Sequence, residues 1–417
     1  MTPGDSVTKF YRSFTSADLV LYAGTNLHCL RDTSAALEQI GMMPVIGAGR
    51  RKQQPNVTSL AKLESRTAAL LCDIFHGRFA EARFPSCTQA NLAIFVALLN
   101  AGDTVLCLHA ADGGHVSQNG DGMLGHLSVK LRSIPFDPEA QCMDDAATAT
   151  LVRRSRPRLV VFGPSVVLRP SDMARTAAVC RETGAVLMVD VSHVAGLIAG
   201  GVFPNPLEHG ADLISASSYK TLGCPPAGFI VGKTRSLQSR IAAAASPKLL
   251  SNYDAGRLLR FTDALASSRH ALRPYAQAVV SNSASLSSAL RDEGAPLLLA
   301  ANELSSTHQV VVRMGNRAHA SRTVSRLQEI GITTSLCGIP GRPGRWGIRL
   351  GTQLVTRRGM GASQMPGIAK LIVTAVRSRA RASSRREVQQ LAAAFRGVAF
   401  CAPPATHSRG GSHRHGE

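Results

Sequence analysis

The feature that most restricts the fold is a series of short apolar runs that alternate with helical stretches. The runs are TVLCLH (104–109), RLVVFG (158–163), AVLMVD (185–190), ADLISASS (211–218) and GFIVGK (228–233). Residues 57–75 carry apolar side chains at helical spacing, and residues 174–183 form a helical stretch that a glycine follows. Short apolar strands that alternate with helices are typical of a mostly parallel sheet covered on both faces. The sequence therefore predicts an α/β fold.

The length of 417 residues allows more than one domain. We expect an N-terminal arm (1–18), a large domain with the parallel sheet (19–255), a connecting helix (256–294), a smaller α+β domain (295–400) and a disordered Gly/Ser/His-rich tail (401–417).

Composition narrows the possible partners and compartment. The chain has no run of about 18 apolar residues and no apolar signal-peptide core, which indicates a cytoplasmic protein without a membrane partner. Its 47 Lys and Arg residues exceed its 27 Asp and Glu residues, but no nucleic-acid-binding motif is present. An anionic substrate or cofactor is the simpler reason for some of the arginines. The nine cysteines stand singly, so neither a metal site nor a disulfide framework is predicted.

Two residues near the ends of predicted strands indicate cofactor chemistry, because parallel sheets bind ligands at the carboxyl ends of their strands. Lys220 lies in SSYKTLGCPPAGF, among small residues and before a Gly/Pro-rich turn. It is either a solvated surface charge or a nucleophilic amine that forms a Schiff base. Asp190 ends the apolar run AVLMVD. A buried carboxylate there needs a partner, which is a helix N-terminus, a salt bridge or the protonated nitrogen of pyridoxal 5′-phosphate.

Three further segments fit the same cofactor and its substrate. Ser86, Cys87 and Thr88 precede a helix, where they form either an ordinary cap or a phosphate site. His115 follows two glycines and is either a surface loop residue or a ring that stacks on an aromatic cofactor. Arg349, within the apolar run WGIRLGT, needs an anion, which is an internal carboxylate or the α-carboxylate of a substrate.

Taken together, these motifs resemble the serine hydroxymethyltransferase family of fold-type-I pyridoxal-phosphate enzymes. The resemblance spans residues 19–375 and rests on SCTQANLAIFVALLNAGDTVL, GGH, the segment from VLMVDVSH to SSYKTL, and WGIRLGTQLVTRRGM, which occur in the family's order and spacing. It implies a homodimer, or a dimer of dimers, whose active sites lie at the subunit interface.

The resemblance also implies a role for each candidate residue. Lys220 would form the Schiff base, Asp190 would partner the pyridine nitrogen, and His115 would stack on the ring. Arg349 would bind the carboxylate of the amino acid. The remaining cofactor-binding residues would be His193 at the cofactor's edge, Ser165 near its phenolic oxygen, and Ser86, Cys87, Thr88 and Ser217 around its phosphate.

One loop departs from the family pattern. Where the family has YAEGYPGKRYYGG, this chain has PVIGAGRRKQQPN, so that Ile46 stands in place of the catalytic glutamate and Pro44 in place of the first tyrosine. Gln53 and Gln54 replace a tyrosine pair, and Gly24 replaces a substrate-binding serine. An isoleucine cannot transfer protons, so the sequence argues against folate-dependent hydroxymethyl transfer.

An intact cofactor site with this altered loop favours an L-threonine:aldehyde transaldolase of a natural-product pathway. Such an enzyme releases acetaldehyde and joins the glycine unit to a second aldehyde. The alternatives are a divergent serine hydroxymethyltransferase that uses serine, glycine and tetrahydrofolate, another pyridoxal-phosphate reaction, and a non-catalytic relative. The basic residues Arg50, Arg51 and Lys52 form either a solvated loop or a site for an anionic acceptor.

Overall fold

The computed structural model describes residues 18–29, 45–48, 51–52, 58–300, 303–377 and 382–401. The predictions for the N-terminal arm, for Pro44, Arg50, Gln53 and Gln54, for the side chains of Arg51 and Lys52, and for the tail from residue 402 lie outside this part of the chain.

The centre of the molecule is a seven-stranded sheet. Its strands, from one edge to the other, are Phe79–Phe84, Gly228–Gly232, Leu213–Ser217, Val186–Asp190, Leu159–Phe162, Thr104–Cys107 and Lys130–Ser133. The last five in this order run parallel, whereas Gly228–Gly232 is antiparallel to both of its neighbours. The predicted α/β class and the mostly parallel sheet are confirmed.

The sheet forms where it does because its central strands are apolar on both sides. Every residue of Leu159–Phe162 and of Leu213–Ser217 is buried, as expected for parallel strands with helices on both faces. Asp190 pairs with Ser215, and Val189 pairs with Phe162. This register brings the carboxyl ends of the central strands to one edge, where the candidate residues lie.

Helices surround this sheet and continue into a smaller unit. Around the large sheet they are Thr58–Phe75, Cys87–Leu98, Asp145–Ser155, Ala174–Thr183, Ala195–Ala199, Arg235–Ala243, Ala255–Ser268 and Leu272–Asp292. In the smaller unit they are Arg317–Glu329, Gln353–Arg357, Met365–Arg377 and Ala382–Ala394.

The stretch predicted as one connecting helix is helical but divided in two. The chain forms Ala255–Ser268 and Leu272–Asp292, separated by a 3-10 turn at Arg269–Ala271. Pro274 lies in the first turn of the second helix, where its missing N–H costs nothing. In one continuous helix its ring would clash with the carbonyl group four residues earlier, so the helix restarts instead.

The smaller unit has its own antiparallel sheet, in the order Gln309–Gly315, Trp346–Gly351 and Ser335–Gly338. The strand Leu19–Val20, which the sequence-based division assigned to the large domain, pairs with Ile332–Thr333 of this unit. Leu19 and Leu21 are buried in the same apolar cluster as residues of the unit's helices. The smaller unit is therefore built from both ends of the chain.

Two cysteines that the sequence analysis left unpaired are joined. Cys29 and Cys401 form a disulfide between residues 372 positions apart in sequence, with Cα atoms at 5.5 Å. Such a pair between the two ends of a chain has no spacing signal, which is why the expectation was wrong.

Within the described ranges, no helix is long and apolar enough to cross a membrane.

Candidate active site

One pocket at the carboxyl edge of the large sheet collects the predicted cofactor residues. Its lining includes Ser86, Cys87, Thr88, His115, Ser165, Asp190, His193, Ser217 and Lys220. Arg349, in the smaller unit, contacts one residue of this lining: its Nη1 donates to the carbonyl oxygen of Ser165 at 2.6 Å. Segments far apart in sequence thus meet where the parallel strands end.

Lys220 follows the buried strand Leu213–Ser217 and is held through its backbone, because its carbonyl oxygen accepts a hydrogen bond from Asn26 Nδ2 at 2.9 Å. Burial lowers the pKa of its amine, and the nearby Asp190 carboxylate opposes that effect. The guanidinium of Arg349 lowers the pKa further. A larger fraction of the amine is therefore neutral and nucleophilic near physiological pH than in an exposed lysine.

Asp190 is surrounded by hydrogen-bond donors. Its Oδ2 accepts from Asn91 Nδ2 at 3.0 Å, from the Cys87 thiol at 3.4 Å and from Gln118 Nε2. Its Oδ1 accepts from the backbone N–H of Ser192 at 3.0 Å. These bonds engage both carboxylate oxygens and fix the direction of the side chain.

Two of these donors, Asn91 and Gln118, are not among the site residues predicted from the sequence, although both are almost fully buried. Asn91 lies four residues after Cys87 on one helix, so helical spacing could have placed both on the face toward Asp190. Gln118 has no comparable signal, because it ends an irregular 3-10 turn.

The helix Cys87–Leu98 begins at the pocket. Ser86 caps it, because its Oγ accepts from the N–H of Gln89 at 3.3 Å. The N–H groups of Cys87 and Thr88 lie in the first turn, where a helix supplies no acceptors, so this end suits an anion such as a phosphate.

The thiol of Cys87 points to Asp190 rather than to this helix end, so only the backbone of Cys87 is placed as the phosphate prediction requires. Burial and the Asp190 charge raise the pKa of the thiol, which keeps it protonated as a donor.

A glycine on the neighbouring strand allows the helix to start this close to the sheet. A Cβ atom on Gly228 would lie 2.1 Å from the carbonyl oxygen of Ser86 and 2.6 Å from the nitrogen of Cys87. We expect Gly228→Ala to displace the helix start and to lower the free energy of unfolding by about 1–3 kcal/mol. Chemical denaturation measures this loss.

Gly367→Ala is the matched control, because a Cβ atom there meets nothing within 4 Å. Gly367 lies inside the helix Met365–Arg377, so its replacement should stabilise the protein slightly. Equal stability of the two variants would contradict the close packing at Gly228.

His115 is positioned by two neighbouring loops. Its backbone N–H donates to the carbonyl oxygen of Gly163 at 3.0 Å, and its ring nitrogen Nδ1 lies 2.7 Å from Ser117 Oγ. The N–H of Ser165 donates to the carbonyl oxygen of Gly113 at 2.7 Å. Desolvation lowers the pKa of His115, so the ring is mostly neutral near physiological pH.

Arg349 has no acidic partner within the part of the chain that the structure describes. The internal salt bridge that the sequence left open is therefore not formed there. Its buried Nε has no hydrogen-bond partner among the described residues, and burial lowers the pKa of the guanidinium. A guanidinium in this state is suited to receive an anion.

Gly24 leaves room for the ring of Tyr22, which interacts with Arg349. A Cβ atom on Gly24 would lie 2.8 Å from the Tyr22 ring, so a serine at this position would force the ring to move. Tyr22 is also close enough to Arg349 to raise the pKa of the guanidinium. The tyrosine therefore occupies space next to the candidate anion site.

His193 is 5% exposed and lines the same pocket. Burial and the charge of Lys220 hold the pKa of His193 well below its usual range, so the imidazole is neutral. The ring stacks on His308, with centroids 5.7 Å apart. Burial also lowers the pKa of His308, to about 3.

The pocket thus combines an amine of lowered pKa, a hydrogen-bonded carboxylate and a helix N-terminus, and beside it lies a guanidinium. Among the described residues, no cluster of three or more His, Cys, Asp or Glu side chains could hold a metal ion.

Comparison with known proteins places this arrangement in a family. The serine hydroxymethyltransferase family model matches residues 61–372. An α-methylserine aldolase from Variovorax paradoxus is 32% identical over 340 residues, which are 81% of this chain and 77% of that protein. A serine hydroxymethyltransferase from Pyrobaculum arsenaticum is 33% identical over 339 residues, which are 78% of this chain and 79% of that protein.

A solved structure extends the comparison to almost the whole chain. The L-threonine transaldolase from Pseudomonas fluorescens superposes with a TM-score of 0.86 at 25% identity, and the match covers 96% of this chain and 92% of that chain.

Proposed function

Since the chain belongs to the serine hydroxymethyltransferase family of pyridoxal-phosphate enzymes, we propose that it is an L-threonine:aldehyde transaldolase. It would cleave the Cα–Cβ bond of a β-hydroxy-α-amino acid, release acetaldehyde and join the glycine unit to a second aldehyde. The relatives named as aldolase and transaldolase support the bond-cleaving chemistry.

The residues of the pocket fit pyridoxal 5′-phosphate. Lys220 would attach the cofactor, Asp190 would bind its ring nitrogen, and the start of the helix Cys87–Leu98 would bind its phosphate. His115, His193, Ser165 and Ser217 line the remaining walls. When bound, the cofactor supplies an electron sink for the pair released from the broken Cα–Cβ bond.

The buried Nε of Arg349 is the observation that supports an amino-acid substrate. Among the described residues it has no hydrogen-bond partner, while Nη1 donates to the carbonyl oxygen of Ser165 in the pocket lining. A substrate α-carboxylate would complete this pairing and orient the amino acid. The lowered pKa of Lys220 leaves its Nζ able to accept a proton in the same pocket.

The position of the family's catalytic glutamate supports a reaction without folate. Ile46 lies in the strand Val45–Ala48 and pairs with Asn252. Its side chain can neither accept nor donate a proton, so Ile46 cannot perform the proton transfer assigned to that glutamate.

The deciding experiment measures acetaldehyde released from L-threonine without folate, with and without a panel of acceptor aldehydes. We expect acetaldehyde release together with a new β-hydroxy amino acid whenever an acceptor is present. Parallel reactions contain L-serine with tetrahydrofolate, and α-methylserine, which would yield formaldehyde and alanine. Turnover confined to serine with folate, or to α-methylserine, would refute the transaldolase assignment.

Arg349→Gln should raise the KM for L-threonine about 10- to 100-fold, the value of a hydrogen bond to a charged group. Steady-state kinetics measures this change. Arg345→Gln is the control, because Arg345 is exposed just before the same strand. An unchanged KM in Arg349→Gln would remove the carboxylate assignment.

The family resemblance also supports a homodimer in the cytoplasm that acts in natural-product biosynthesis, and we propose these properties with the reaction. Sedimentation of the purified protein tests the oligomeric state.

A further inference from the structure

The side chain of Gln309 joins the smaller unit to the wall of the pocket. It is fully buried at the start of the strand Gln309–Gly315. Its Oε1 accepts from the N–H of Val167 at 2.9 Å, and its Nε2 donates to the carbonyl oxygen of Ser165 at 3.2 Å. A backbone N–H can only donate and a backbone carbonyl can only accept, so these two contacts fix the orientation of the amide.

This orientation determines which nitrogen of His193 carries the proton. Nε2 of Gln309 lies 3.0 Å from Nδ1 of His193. The amide nitrogen is a donor, so Nδ1 must be the unprotonated acceptor. In the neutral ring the proton then resides on Nε2 of His193.

The other contacts of His193 keep the ring in place without competing for Nδ1. The ring stacks on His308, and its own carbonyl oxygen accepts from Thr221 Oγ1 at 2.8 Å. Among the described residues, no side chain or backbone group accepts from its Nε2.

We propose that Gln309 is a positioning residue that holds His193 as a neutral ring protonated on Nε2, so that His193 acts as a hydrogen-bond donor to an anionic oxygen bound in the pocket. Because Gln309 belongs to the smaller unit, the tautomer depends on the contacts that Gln309 makes with Ser165 and Val167 in the large unit. The part that concerns a bound oxygen rests on the proposed function, whereas the tautomer itself does not.

Nitrogen NMR of the protein labelled in its histidine rings tests the tautomer before any cofactor is added. His193→Asn identifies the signals of His193. We expect a pyridine-type shift for Nδ1 and a pyrrole-type shift for Nε2 in the unsubstituted protein. A pyrrole-type Nδ1, or two protonated nitrogens, would overturn the proposal whether or not the enzyme acts on threonine.

Two substitutions at Gln309 test the cause. In Gln309→Glu a carboxylate oxygen faces His193, so the proton should move to Nδ1 and the two shifts should exchange types. Gln309→Met removes the donor and should lower kcat about tenfold, the value of one hydrogen bond, with little change in KM because Arg349 remains.

Gln328→Met is the control for these substitutions, because Gln328 is exposed on the helix Arg317–Glu329. If Gln309→Glu folds and His193 keeps its proton on Nε2, Gln309 does not set the tautomer. If that variant fails to fold, the spectrum of the unsubstituted protein and the kcat of Gln309→Met still decide the matter.

Discussion

Lys220→Ala is expected to abolish the visible absorbance of the Schiff base between the cofactor and this lysine, and to lower turnover by about a thousandfold or more. It removes both the attachment point and a proton-transfer group. Lys220 is the lysine in the pocket lining, and its lowered pKa makes it the nucleophilic amine there. The absorbance spectrum after incubation with pyridoxal 5′-phosphate and the rate of acetaldehyde release measure the two effects.

Lys233→Ala is the matched control. Lys233 follows the strand Gly228–Gly232, which is antiparallel to the strand before Lys220, so Lys233 lies at the opposite edge of the sheet. The control should keep both absorbance and turnover. A Lys220→Ala protein with the spectrum of the unsubstituted enzyme would exclude the cofactor assignment altogether.

Asp190→Asn should lower kcat about 10²- to 10³-fold, the range for losing one fixed electrostatic partner of the reacting group. The neutral amide cannot stabilise a protonated ring nitrogen. It also places an amide among the donors Asn91 and Gln118, which the carboxylate had satisfied. The cofactor should still attach through Lys220, so its absorbance should persist while turnover falls.

Asp212→Asn provides the comparison. Asp212 is also half-buried, and its Oδ2 accepts from the N–H of Leu187 at 2.9 Å, at the amino edge of the sheet. Its replacement should affect stability far more than kcat. Equal losses of kcat in the two variants would mean that Asp190 acts through folding rather than at the cofactor.

Much of the large domain could be predicted because short, local sequence patterns determine its strands. The strand Val186–Asp190 is a short apolar run with one acid at its end, and that pattern fixes both burial and the edge at which Asp190 lies. The position of Lys220 follows from the next strand in the same way.

The remainder of the site depends on contacts that no local pattern encodes. Gln309 looks like one polar residue before an apolar strand, and only the docking of the two units brings it to His193. Pro274 stands in the sequence, but a proline in the first turn of a helix and a proline that kinks a longer helix look alike there. The Cys29–Cys401 pair depends on how the two chain ends meet.

The construction of the smaller unit from both ends of the chain restricts how it can move. Within the described ranges, the chain passes between the units after Tyr22 and through the helix Leu272–Asp292, and it contacts the large unit again at Phe400. Several connections between two units oppose displacement of one unit relative to the other. Asn26 lies in the first connection and binds the backbone of Lys220, while Arg349 lies in the smaller unit. Any shift of the smaller unit would therefore change the position of Arg349 and the support of the Lys220 backbone together.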